Sequence, residues 1–277
     1  MLRLRILTAV VLLLVLAAAL LAPSPWPFIV LIAAACALAG REWLRMTAGV
    51  AGKVRWVNTG VAGGVFFLII LQAFLTTGQQ AAAAMLTTPL AAIAWLLIAP
   101  LMVIRARVDA PARSLALSLF AVLALGATGL ALVLMFLTRG AWYVVSLLML
   151  VWVADVAAYF AGRACGRRKL APRVSPGKSV EGAVAGVVAV VVWVLASGQY
   201  EASYGHALIA RWGAMATVPL AALLAVMSIL GDLFESLIKR RAGVKDSSGL
   251  LPGHGGVWDR VDAVLPVVPL AALLVGF

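Results

Sequence analysis

"LALSLFAVLALGATGLALVLMFL", residues 115–137, decides the fold class. It carries no charged residue, and its polar side chains are Ser118 and Thr128 alone. A helix needs about 20 such residues to cross a bilayer. Similar stretches recur at 6–22, 25–43, 57–76, 81–104, 142–161, 180–197, 209–231 and 261–277, separated by short clusters of Arg, Pro, Gly and Thr. The whole chain of 277 residues is 65% hydrophobic and 12% charged, far too apolar for a soluble domain of this length. The expected fold is all-α, a polytopic membrane protein with about nine transmembrane helices.

Basic residues give the orientation, because Lys and Arg flanking short loops are retained on the cytoplasmic side. Arg3 and Arg5, with the loops Arg41–Arg55, Arg105–Arg113, Arg163–Lys178 and Lys239–Arg260, hold 20 of the 22 Lys and Arg residues. The alternate connections hold Arg139 and Arg211. A cytoplasmic N-terminus and an outside C-terminus therefore put every rich segment on one face. The net charge of +12 reads as topology and attraction to anionic membrane lipid. Spread over separate loops with no binding module, it argues against nucleic acid as a partner. The first span follows a basic start, as a signal peptide would, but Pro23 to Pro27 offers no small-x-small cleavage site, so an uncleaved helix is expected. Two distant cysteines, Cys36 and Cys165, define neither a disulfide framework nor a metal knuckle.

The acids divide the chain. Before residue 140 they are Glu42 and Asp109, both in basic inner loops, and small residues dominate runs such as "AAAAMLTTPLAAIAW", which suits close helix packing in lipid. Residues 1–140 read as a transmembrane scaffold. Residues 141–277 read as the catalytic transmembrane region, with cytoplasmic loops 162–180 and 232–261 that collect acids positive-inside topology does not need.

Asp155 lies inside a span, where a carboxylate costs roughly 2.5 to 3.5 kcal/mol and so faces a cavity or a partner. Tyr159, four residues on, shares its helix face. A structural ion pair, proton relay, ion coordination and substrate contact all remain open for Asp155. In "VSPGKSVEG", Pro176 and Gly177 are expected to make a turn, and Ser175 or Ser179 to cap the next helix. Lys178 before a helix start offers an anion site. A Walker A loop is rejected because Pro172 stands where its first Gly belongs.

Asp232, Glu235, Ser236 and Lys239 fall on one face of the eighth span's inner end. Beyond them, Gly253, Gly255 and Gly256 in "PGHGG" let backbone approach a bulky anion, and Asp259 and Asp262 flank Arg260. Carboxylates beside glycine-exposed amides and bases are what a magnesium–polyphosphate site needs. His254 has no second histidine at ligand spacing, so zinc is not expected; a phosphate hydrogen bond or a loop contact suits it better.

These residues carry a resemblance. "SLIKRRAGVKDSSGLLPGHGGVWDRVD", 236–262, resembles the signature of the phosphatidate cytidylyltransferase family, S-x-x-K-R-x4-K-D-x5-P-G-H-G-G-x-x-D-R-x-D, at every fixed position. "DVAAYFAGRACGRRKLAPRVSPGKSVEG", 155–182, is similar to that family's second conserved stretch. The resemblance covers about the C-terminal half. It implies a multi-pass enzyme, in the bacterial inner membrane with its site facing the cytoplasm, that joins CTP to phosphatidic acid with Mg2+. The products would be CDP-diacylglycerol and pyrophosphate.

By the same resemblance Asp232 and Asp259 are the ligands of a paired-cation centre. Lys239, Arg240, Lys245 and Arg260 neutralise phosphate charge, with Asp246 as a further catalytic position. Asp155, Tyr159, Arg163, Ser175, Lys178, Ser179, Glu181, His254, Gly255 and Gly256 bind substrate, and a homodimer is the candidate assembly. Trp258 stands where an aliphatic residue is usual, and Ser179 where Thr is common. Two rivals remain: a CTP-dependent polyprenol or dolichol kinase, and an ion-coupled transporter. The complete "PGHGGxxDRxD" run argues against the first, and the concentration of polar residues in one half at one face argues against the second.

Overall fold

The computed structural model describes residues 2–48 and 79–277. The span expected at 57–76 lies outside the described residues. The other eight are helical: α1 (Leu2–Leu21), α2 (Trp26–Thr47), α3 (Gln79–Arg105), α4 (Leu115–Arg139), α5 (Ala141–Cys165), α6 (Val180–Ser197), α7 (Tyr204–Arg241) and, after a single turn α8 (Trp258–Val261), α9 (Val264–Val275). Six of these, α2 to α7, are long and apolar enough to cross a membrane. Helices satisfy their own backbone groups, as a chain in hydrocarbon requires.

α9 differs from the expected last span. At 12 residues it is about 18 Å long, short of a hydrocarbon core, and every residue from Val264 to Ala272 is buried, with α3, α4, α5 and α7 packed around the helix. It is the centre of the bundle, away from lipid. Pro269 lacks the N–H that would bond the Leu265 carbonyl, and the Thr128 hydroxyl of α4 donates to that carbonyl instead at 3.2 Å. At the far end, Trp212 Nε1 donates to the Leu274 carbonyl at 2.7 Å and Arg139 to that of Phe277 at 3.3 Å. The last helix therefore starts at the end of the bundle where α2, α5 and α7 finish, and ends where α4 finishes.

α7 also departs from expectation. Gly213 breaks it with φ 77°, a conformation glycine adopts without strain, and the helix then continues to Arg241, ten residues past the expected end of the span. That extension carries the polar stripe. The region 162–180 is no simple loop. β1 (Lys169–Ala171) pairs antiparallel with β2 (Ser175–Ser179), the only strands among the described residues. Pro176 and Gly177 lie within β2, so the expected turn there is corrected to residues 172–174. A two-stranded ribbon has a free edge on each strand, so a proline without an N–H is tolerated. Ser179 does cap α6, accepting from the Gly182 amide at 3.1 Å.

α5 and α6 pack through small residues: a Cβ on Gly182 would come within 2.6 Å of the Ala158 carbonyl, and one on Gly186 within 3.0 Å of that of Ala154. Beneath the polar end lies an aromatic cluster in which Trp43 of α2 stacks on Trp258 at 4.5 Å and 8°, with Trp95, Phe120 and Phe234 around them. Trp258, unexpected in sequence, is thus the floor of the final loop.

Candidate active site

One turn of helix separates two rows on the α7 extension. Asp232 and Ser236 form the first, with the Ser236 hydroxyl donating to Asp232 Oδ1 at 3.3 Å. Lys178, brought across by β2, sits 2.6 Å from Asp232 Oδ2. Asp155 on α5 completes this side, and a cavity of about 400 Å3 is lined by Asp155, Tyr159, Arg163, Lys178, Ser179 and Asp232 together with small residues of α5 and α6. Asp262 and Arg260 lie within electrostatic range of the same group. The spacing argument for Asp155 with Tyr159 therefore leads to a cavity, where Arg163 donates to the Tyr159 hydroxyl at 3.2 Å.

The second row is Glu235 and Lys239. Lys239 Nζ lies 2.5 Å from Glu235 Oε2 and 2.6 Å from Asp259 Oδ1, with the three side chains only 13%, 2% and 5% exposed. The other oxygen of Asp259 accepts from the Ser247 amide at 2.9 Å, the Ser247 hydroxyl at 2.9 Å and the Gly256 amide at 2.7 Å. Burial pushes the Asp259 carboxyl up, but the Lys239 ammonium and the hydrogen bond from the Gly256 amide outweigh it and hold the group well below the usual carboxylate range.

The loop itself walls a second cavity of about 540 Å3, lined by Lys245, Asp246, His254, Gly255 and Arg260 with neighbouring serine and glycine residues. Gly253 and Gly255 have φ of 75° and 83°, which is why glycine stands there. His254 Nδ1 is buried without a hydrogen-bond partner. Behind this wall is a residue that its sequence neighbours place in a basic inner loop. Glu42 is in α2, 5% exposed, and its carboxylate accepts from Ser247 Oγ at 2.8 Å, Ser248 Oγ at 2.5 Å, Val257 N at 3.1 Å and Trp258 N at 2.8 Å. A Cβ on Gly256 would overlap that carboxylate. The available sequence signal was the lone acid of this helix, set between Arg41 and Arg45 at the end of an apolar run, in "GREWLR".

Other expected site residues serve the framework in this structure. Glu181 accepts from the amides of Arg167 at 3.0 Å and Arg168 at 3.2 Å, fastening the strand entry. Arg240 donates to the Val174 carbonyl at 3.4 Å, and Ser175 pairs with Ala171 in the ribbon. None of the three lines either cavity.

Asp232 suits a hard cation: its side chain is 31% exposed, and the carboxylates of Asp155 and Asp262 lie within electrostatic range. Asp259 has both oxygens engaged by protein donors, so a cation there has to displace Lys239. Among the described residues no three His, Cys, Asp or Glu side chains converge as a metal-binding group.

Helices of membrane length with a polar site of carboxylates, lysines and glycine-exposed amides at one end define a polytopic membrane protein. The chain belongs to the cytidylyltransferase family, whose model matches residues 3–277. It is similar to a phosphatidate cytidylyltransferase of Pseudomonas aeruginosa, 46% identical over 132 residues that cover 47% of this chain and 46% of that protein. It is likewise similar to those of Haemophilus influenzae, 44% identical over 47% of this chain and 44% of that protein, and Thermotoga maritima, 42% identical over 44% and 45%. The chain thus matches a little under half the length of these curated relatives.

Proposed function

We propose that this protein is a phosphatidate cytidylyltransferase working at the cytoplasmic face of a bacterial inner membrane, with about nine spans, a cytoplasmic N-terminus and an outside C-terminus. The observation that carries the proposal is the convergence of two separated sequence stretches, 155–182 and 232–262, on one end of the bundle, where Asp155 and Asp232 line one cavity, Arg260 lines the other, and Arg260 lies within electrostatic range of Asp155. The names of the relatives supply the substrates: CTP and phosphatidic acid.

An oxygen of the phosphatidate monoester attacks the α-phosphorus of CTP, the bond from that phosphorus to the bridging β-oxygen breaks, and pyrophosphate leaves with the electron pair. The nucleophile needs no strong base, because a phosphomonoester with a second pKa near 6 is largely dianionic at neutral pH. Catalysis then rests on positioning and charge neutralisation. Lys245 and Arg260 face the loop cavity, which suits the triphosphate. Lys178 faces the Asp155 cavity, whose lining residues Leu170, Ala183 and Ile229 also line an apolar groove of about 800 Å3, which suits the lipid. Asp232 and Asp259 are the residues that would hold Mg2+ and a second cation, which when bound neutralise phosphate oxygens. The proposed pairing of two copies rests on the family resemblance and is checked by cross-linking in native membranes.

The test is pyrophosphate release from purified, detergent-solubilised protein given CTP, phosphatidate and Mg2+, each omitted in turn. Release that needs all three, with CDP-diacylglycerol in the lipid extract, is the expected result. Phosphorylation of a polyprenol in place of phosphatidate would move the protein to the kinase class.

A further inference from the structure

We infer that Glu42, from the N-terminal half, is a positioning residue for the reaction: it clamps both ends of the loop 247–258 and thereby aims the Asp259 carboxylate. The inference rests on the nucleotidyl-transfer reading for its activity arm. Its basis is geometric. The four donors to Glu42 come in two pairs: the hydroxyls of Ser247 and Ser248 where the loop begins, and the amides of Val257 and Trp258 where it ends. One buried carboxylate thus closes the loop, as a cross-link would.

Two further contacts from α2 reinforce it: Trp43 stacks under Trp258, and the Arg45 guanidinium donates to the Ser247 carbonyl. Ser247 then relays the clamp. Its hydroxyl proton is shared between Glu42 Oε2 and Asp259 Oδ2, both within 2.9 Å, while its amide also donates to Asp259. Asp259 follows the clamped Trp258 directly in the chain, so a shift of this backbone moves its carboxylate and its contact with Lys239. The absent side chain of Gly256 is what lets Glu42 enter.

Glu42→Gln keeps shape and volume but turns an NH2 towards one of the two backbone amides, which cannot rotate away as a hydroxyl can. The expected result is a fall in kcat of about 10- to 100-fold, with KM for phosphatidate within about threefold, because misplacement by a fraction of an ångström acts on the transition state. Hydrogen exchange read by mass spectrometry is expected to quicken in the peptide covering 245–260 and to stay unchanged in α5 and α6. Ser247→Ala is expected to lower kcat in the same range, and the double variant to lose about as much as the worse single one, since both cut one relay.

Wild-type kcat in Glu42→Gln, unchanged exchange over 245–260, or additive losses in the double variant would overturn the inference. Should Glu42→Gln exchange faster throughout the chain, Ser247→Ala decides: a wild-type kcat in that variant overturns the relay and a tenfold loss supports it. If the wild type itself makes no CDP-diacylglycerol, the proposed function fails, while the exchange comparison still judges the clamp.

Discussion

Lys239→Met tests the electrostatics of the site at its most buried point. The ammonium lies 2.5 Å from Glu235 and 2.6 Å from Asp259, and its side chain is 13% exposed. At an effective dielectric near 20, the contact with Asp259 is worth on the order of 6 kcal/mol before desolvation is counted. Methionine keeps the aliphatic stem and removes the charge, leaving two carboxyl groups facing each other in a dry site. Stranding a buried partner in this way costs about 3–5 kcal/mol. For a chain of this size that is a drop of roughly 6–20 °C in melting temperature, taking about 2–4 °C per kcal/mol. Thermal unfolding in detergent, followed by fluorescence-detected size exclusion, measures it. Asp259→Asn added to Lys239→Met removes the stranded carboxylate while keeping an oxygen for the Ser247 and Gly256 donors, so the double variant is expected to recover about half of the loss. A shift under about 3 °C, or a double variant no better than the single, would refute the argument.

Asp259→Asn is expected to abolish turnover while the protein still inserts in the membrane. Because the Asp259 carboxyl is held below its ordinary value, its stabilisation is complete above an unfolded pKa near 4 and is lost as pH falls through the folded value. The melting deficit of the variant should therefore be level from about pH 5 to 8 and shrink in stronger acid. Trp258→Ala should cost about 3–5 kcal/mol by removing the ring stacked on Trp43, with Trp258→Leu milder, as chemical denaturation in detergent would record. Gly231→Ala puts a Cβ 2.5 Å from the Asp262 carbonyl and 2.8 Å from Pro266, so it should push α9 off α7 and lower the melting temperature; an unchanged value would show that the helices are not in the close contact described.

The apolar runs were legible in the chain because a helix in hydrocarbon needs length and hydrophobicity, both local properties. All eight expected spans on described residues are helical, and the signature stretches did lead to the polar end. The spacing of Asp232, Glu235, Ser236 and Lys239 also read correctly as one helix face, since 3.6-residue periodicity is local too. What the chain did not reveal was burial and partnership. That α9 is a short central helix, and that Pro176 lies in a strand, depend on which neighbours surround them.

Glu42 is the sharpest case. Its chemistry is set by two serines and two amides more than 200 residues away, and an acid next to arginines in sequence looks like any loop residue until the tertiary structure removes it from water. The division of the α7 stripe into an Asp232–Lys178 pair and a Glu235–Lys239–Asp259 group is likewise a decision of the assembled bundle. Composition and periodicity fix where helices run. Only packing fixes which carboxylate faces which ammonium, because that depends on distances between segments that the sequence keeps far apart.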